Sequence, residues 1–360
     1  MSTDPRLARL AARRAAVMAL AGRIADPLAR ILGVKPEAFA PNNVWALTGR
    51  RLVRDAIARE RPDVVVATTP PVSALFATAA VARAVPFIAD FRDLWAGSPY
   101  FDRGGRLLPA LQRRALVRAS AVVTVTNGFC DRLLALHPEI APRLHVLPNG
   151  FDPALLARRT PAPPRGGDPA KLVFAGALYG EHTAEPLVRA LERAELRGRT
   201  RLELVGVIDH RTRRAIADGR IDAAVQPPVS WQEAIDRTLD ADVVVVITTS
   251  SAGGDMAIPA KLYEALALGR PVLAIARGGS DTAELLERLG QSAGLAPPDD
   301  PAAIAAAIER LLADPPPPVP ADALADFDRD RIAARYAELL DEVATRSSSA
   351  TSSGTTFSRR

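Results

Sequence analysis

The amino-acid sequence predicts an α/β protein of two doubly wound, Rossmann-like domains in tandem. Three observations carry that reading. Short apolar runs such as 121–126 and 242–247 read as strands buried on both faces, the mark of a parallel sheet. Segments with helical periodicity separate them. The alternation halts in a Pro-, Arg- and Gly-rich stretch at 151–170 and then begins again.

The elements follow in chain order. Over 6–32, Leu7, Leu10, Val17, Ala21, Ile24, Leu28 and Ile31 recur at helical spacing among arginines, with Pro27 expected to kink or split the helix. A helix is expected at 45–60, then a strand at 63–68. The run from Val64 to Ala82 has no charge, but Pro70 and Pro71 interrupt it, so it reads as strand, turn and helix (72–83) rather than a membrane span. A strand at 86–90, a helix near 106–118, a strand at 121–126, a helix from Gly128 and a strand at 144–147 complete the first domain. In the second, strands are expected at 171–175, 201–205, 242–247 and 271–275. Helices are expected near 183–195, 210–218, 231–239, 259–268 and 301–313. The resulting domains are 1–150 and 171–326, joined by a linker at 151–170. An amphipathic helix at 327–345 and a disordered Ser/Thr-rich tail at 346–360 follow.

Composition narrows the chemistry. The 360 residues leave room for two cores. A single cysteine, Cys130, excludes a disulfide framework and a Cys-based metal cluster. His137, His145, His182 and His210 lack metal-ligand spacing. The start of the chain is too Arg-rich for a signal peptide, so a cytoplasmic protein is expected, with a peripheral place on a membrane's inner face as an option. Residues 1–150 carry 21 Lys+Arg against 11 Asp+Glu, and the remainder 25 against 30. That asymmetry suits an anionic membrane surface or a lipid-diphosphate acceptor, or it is simply a solvated Arg-rich face. Nucleic acid fits less well, because no aromatics are interleaved with the basic residues.

In such sheets ligands bind beyond the carboxyl ends of the strands, and the cleft between two such domains is the default site. The run from Ser250 to Val272 begins where a buried strand ends. Gly253 and Gly254 permit close backbone approach. Pro259 suits the first helical position, and no Ser, Thr, Asp or Asn just before it caps the helix, which leaves amides for a phosphate. Lys261 reaches the same anion, and Glu264 shares its face, where a carboxylate can accept two hydroxyls, as from a ribose. The competing reading is a surface Lys–Glu pair.

These residues, from Pro259 through Lys261, Glu264 and Gly269 to Pro271, resemble the donor-site helix of GT-B glycosyltransferases of family 4. The Asp90 to Trp95 segment resembles the Asp-x-Arg-Asp-x-Trp segment of the family's cell-surface polysaccharide branch. Val146 to Asp152 resembles the hand-over between domains, and Phe174 to Leu178 the glycine turn opening the second. The resemblance implies a GT-B arrangement and a retaining transfer from a nucleoside-diphosphate sugar to a glycan or lipid-linked acceptor, with neither metal nor other cofactor. It implies that Glu264 binds the ribose, that Lys261, Gly176 and the helix start at Pro259 hold the diphosphate, and that Asp93 and Arg92 face the sugar as catalytic residues. Gly254 and Asp255 complete the expected donor set. Met256 stands where the family often has an acidic residue, with Asp255 one position off, and His182 is the nearest basic residue after the Gly176 turn. Family members carry a further strand and Gly-rich loop ahead of the segment matching Asp63, so the first domain is expected to be incomplete. Alternatives are a non-catalytic glycosyltransferase-like binding protein and a GT-B sugar-nucleotide epimerase.

Overall fold

The computed structural model describes residues 41–82, 85–98, 107–160, 169–179, 182–248 and 254–352. The helix expected over 6–32, the residues that bear on the completeness of the first domain and the Gly253 position lie outside them. The chain forms two compact units. One takes in residues up to Val125, Phe129–Leu147 and the chain from Arg335 on. The other takes in Thr126–Gly128 and Pro148–Ala334.

The first unit holds a parallel sheet in the order β1-β2-β3-β4, with β1 Val65–Thr69, β2 Phe87–Phe91, β3 Ala121–Thr124 and β4 Leu144–Val146. Every residue of β2 and β3 is buried, as an apolar strand covered on both faces should be. The intervening helices are α1 Pro41–Glu60, α2 Val72–Val81, α3 Leu107–Leu116 and α4 Asn127–Leu136. Thr68 pairs in register with Asp90, which places both at the carboxyl end of the sheet.

The second unit holds a parallel sheet of six strands in the order β10-β9-β8-β5-β6-β7. These are β5 Ala170–Ala177, β6 Thr200–Val207, β7 Asp222–Gln226, β8 Val243–Ile247, β9 Val272–Ile275 and β10 Leu295–Ala296. The helices are α5 Glu185–Leu191, α6 His210–Asp218, α7 Trp231–Leu239, α8 Ala260–Ala267, α9 Asp281–Arg288 and α10 Pro301–Ala313. Alternation along β5 sends Leu172 and Phe174 into one apolar layer with Leu187, Leu204 and Ile308. Val173 goes into the other, with Phe151, Leu262 and Phe327. The chain builds from β5 outward to β7 and then returns to β8 on β5's other side, so the strand order reverses between β5 and β8. That reversal is where an open α/β sheet leaves a crevice.

The structure differs from the sequence reading in four places. Strand β7 (Asp-Ala-Ala-Val-Gln) is a partly exposed edge strand without an apolar run, and it escaped periodicity. Helix α9 and strand β10 are short and were also unread. The segment at 151–160 is not a free linker, because Phe151 and Leu155 are buried in the second core and a 3-10 turn at Pro153–Arg158 is capped by Asp152. Finally, helix α11 runs from Arg329 to Ser352, past its expected end at 345, and contributes to both units.

Strands β5 and β6 meet at Gly176 and Gly206, which are register partners with φ of 151° and 128°. A Cβ on Gly206 would overlap the Gly176 carbonyl oxygen. Gly206→Ala is therefore expected to lower stability by about 2 kcal/mol or more, read as a lower midpoint in urea unfolding.

Candidate functional site

Strand β5 delivers Gly176 to the carboxyl edge of the second sheet, and β6 delivers Val205 and Val207 beside it. The loop after β7 brings Pro228 and Val229, and α7 and α8 close the sides. Together they line a cavity of about 410 Å³ whose polar side chains are Trp231, Thr238, Lys261 and Glu264. An apolar hollow with a few convergent polar groups is the usual form of a small-molecule site.

Lys261 lies in the first turn of α8, whose N-terminus no side chain caps. Pro259 occupies the capping position itself (φ −61°, ψ 133°), one place earlier than the sequence reading put it. The Lys261 ammonium sits 3.8 Å above the centroid of the buried Phe174 ring. A Cβ at Gly176 would occupy the space of that ammonium, so the glycine makes room for it. Withdrawal from water pushes the Lys261 pKa down to about 8, against the nearby Glu264 charge, which raises it. The ring face offsets part of the lost hydration.

Glu264 is half-buried. Its Oε1 accepts a hydrogen bond from Trp231 Nε1 at 3.0 Å, and the Arg329 guanidinium lies 3.6 Å away. Trp231 is the first residue of α7, which Ser230 caps by accepting from the Glu233 amide. Sequence reading placed Trp231 at the start of a helix but gave it no role, because the pattern of one helix does not show a contact with Glu264 on another. Phe174 was read as part of a strand and of a glycine turn, since nothing in the pattern shows an ammonium above a phenyl ring.

The remaining expected residues lie elsewhere. Gly254 and Asp255 sit in a short 3-10 turn, with Asp255 3.9 Å from Arg277. Neither they nor Pro259 line the cavity, which joins Gly176, Lys261 and Glu264. His182 is half-buried and does not line this cavity. Its ring tilts against Tyr179 with centroids 5.6 Å apart.

In the first unit, Arg92 and Asp93 follow β2. Arg92 pairs with Asp90 at 3.0 Å, and Thr68 Oγ1 also donates to Asp90 at 3.2 Å. Asp90 is the buried carboxylate here, at 4% exposed, and its Oδ1 has no hydrogen-bond partner. Asp93 keeps an exposed outer face. Neighbours on its inner side raise its pKa by desolvation, and the Leu94 amide, donating to Oδ1 at 2.8 Å, lowers it. Trp95 packs edge-on against Phe76, 5.3 Å between centroids. The Tyr336 hydroxyl of α11 is buried, and desolvation together with the Asp90 charge pushes its pKa up to about 12. Among the described residues, no group of three or more His, Cys, Asp or Glu is placed to hold a metal ion.

Two family models match the chain: "Glycosyltransferase Family 4" over residues 6–155, and "Glycosyl transferases group 1" over residues 169–314. A curated relative, the amylovoran biosynthesis glycosyltransferase AmsK of Erwinia amylovora, is 38% identical over 109 residues, 29% of this chain. The matched stretch spans about a quarter (26%) of that relative's length. Among solved structures, Anabaena HepE in complex with UDP and glucose aligns with a TM-score of 0.62 and 18% identity over 83% of each chain. A glycosyltransferase from Rickettsia africae aligns at 0.61 and 16% identity, over 83% of this chain and 81% of that one. At these identities the structural likeness is one of fold.

The lowered Lys261 pKa has a measurable sign. The unfolded chain binds this proton more tightly, so stability should rise with pH between about 8 and the ordinary lysine range. Lys261→Met should remove that rise, as followed by thermal melting across the same pH series.

Proposed function

Because the chain belongs to the GT-B glycosyltransferases, joining a family 4 first half to a group 1 second half, we propose that it transfers a sugar, with retention, from a nucleoside-diphosphate sugar to a glycan or lipid-linked acceptor. The observation that carries the proposal is the single cavity bringing Gly176, Lys261 and Glu264 to the carboxyl edge of the second sheet. In this reading the apolar wall of Val205, Val207, Pro228 and Val229 receives the base, and Glu264 accepts the ribose hydroxyls. Lys261 and the uncapped start of α8 hold the diphosphate. As the bond between the sugar's anomeric carbon and the diphosphate breaks, charge grows on the leaving phosphate, where a fixed cation stabilises it most. A partly desolvated ammonium suits that role, since an arriving anion restores the charge that burial disfavours. Arg92 and Asp93 are the first unit's candidates for contacting the sugar. HepE's complexes with UDP, glucose and UDP-glucose support a nucleotide-sugar ligand, and AmsK's role in amylovoran biosynthesis supports a glycan product.

The basic first half is proposed to face an anionic membrane surface or lipid diphosphate from the cytoplasmic side. Among the described residues no helix is long and apolar enough to cross a membrane. Of the arginines on and after α3, Arg113 pairs with Glu139 at 2.6 Å and Arg118 donates to the Ala79 carbonyl.

Three outcomes test these readings. Glu264→Ala should weaken nucleoside-diphosphate binding by about 1.5–3 kcal/mol, the scale of a hydrogen bond to a charged group. Lys261→Ala should weaken the diphosphate more than the nucleoside; unchanged calorimetric affinity in both variants would remove the donor assignment. Purified chain should release nucleoside diphosphate from its donor, and EDTA should leave that turnover intact. Donor binding without any turnover would mark a binding protein instead. Last, the chain should co-sediment with anionic vesicles at low salt and not at high salt, since each basic residue near such a surface contributes about 1 kcal/mol. Equal recovery with neutral vesicles would return the charge to a solvated surface.

A further inference from the structure

The carboxylate of Glu264 is held in one orientation. Its Oε1 accepts the Trp231 indole N–H at 3.0 Å and faces the Arg329 guanidinium at 3.6 Å, while Oε2 takes neither contact. An indole N–H only donates. It cannot remove the carboxylate's charge by taking up a position as a counter-ion, and it cannot accept a hydroxyl in place of the carboxylate. It therefore occupies one oxygen and leaves the other as an acceptor. Arg329 is about half exposed, so water screens its attraction. The indole itself is 46% exposed on the wall of the cavity, next to Val207 at 56%. Large apolar side chains left open on one cavity wall are surface for a ligand to cover.

We infer that Trp231 is a positioning residue for the nucleoside. It fixes the Glu264 carboxylate so that Oε2 meets the ribose 2′-hydroxyl, and in doing so it sets a preference for ribo- over 2′-deoxyribonucleotides. This rests on the donor-site reading above, and it assigns to Trp231 a role separable from merely walling the cavity. Trp231→Phe separates the two, because phenylalanine keeps an aromatic wall and removes the donor.

Calorimetric titration of the full chain with uridine, guanosine and adenosine diphosphates and their 2′-deoxy forms tests the inference. The wild-type chain should prefer the ribo form of whichever diphosphate it binds by about tenfold or more, the scale of one hydrogen bond to a charged group. Trp231→Phe should bring that preference below about threefold and leave affinity for the 2′-deoxy form near the wild-type value, since that ligand lacks the hydroxyl concerned. In a Glu264→Ala background, Trp231→Phe should change the preference no further, because the two residues act as one unit. Retention of the full ribo preference by Trp231→Phe, or an equal loss for both sugar forms, overturns the inference and leaves the donor site standing. A wild-type chain that binds without ribo preference overturns the inference together with the ribose role of Glu264. Failure to bind any of the three diphosphates overturns the inference and the donor site together.

Discussion

A lysine ammonium pressed to the face of a buried phenyl ring organises the second unit's candidate site. Lys261 rests on Phe174, and among the described residues no carboxylate forms an ion pair with it. This arrangement is possible only because β5 carries a glycine at 176, where any side chain would displace the ammonium. Gly176 in turn needs Gly206 opposite it, since a Cβ on the neighbouring strand would strike its carbonyl. Two glycines on adjacent strands, one aromatic below and one cation above thus form a single unit. Its members contribute chain flexibility, apolar burial and charge, and removing any one leaves the others poorly placed.

The cation and the anion of the cavity are held by different means, and the difference suits different ligand groups. Lys261 is kept by desolvation and a ring face, an environment that strengthens its attraction to an arriving anion. Glu264 is kept by directional contacts, a hydrogen bond from Trp231 and a longer approach of Arg329, which fix where its free oxygen points. Phosphate charge is diffuse and is met by a nearby cation. Sugar hydroxyls are directional and are met by an oriented acceptor.

At the first unit's strand ends the pairing differs from the motif's appearance. In the segment Asp90 to Trp95 the two aspartates look equivalent, yet Asp90 is enclosed by Thr68, Arg92 and the region of Tyr336, while Asp93 turns outward. Asp90 is the last-but-one residue of β2, so its side chain follows the alternation of a fully buried strand. Asp93 has already left the strand. The buried aspartate fixes Arg92, and the exposed one is available to a ligand.

The sequence by itself determined the architecture and much of the chemistry. A fully apolar strand such as β8, or a nearly apolar one such as β3, belongs at the centre of a parallel sheet, and its burial on both faces follows from local composition. Lys261 and Glu264 share one face of α8 because helical geometry places residues three apart together. Only the tertiary structure decided the rest, since periodicity reports on one segment at a time. The contact between Lys261 and Phe174 and that between Trp231 and Glu264 join residues on different elements. They depend on β5 lying between β6 and β8, an order no single segment encodes. The same holds for Phe151 and Leu155. They stand in a stretch whose composition reads as linker, but a core that presents an open apolar face draws them in and moves the boundary of the unit.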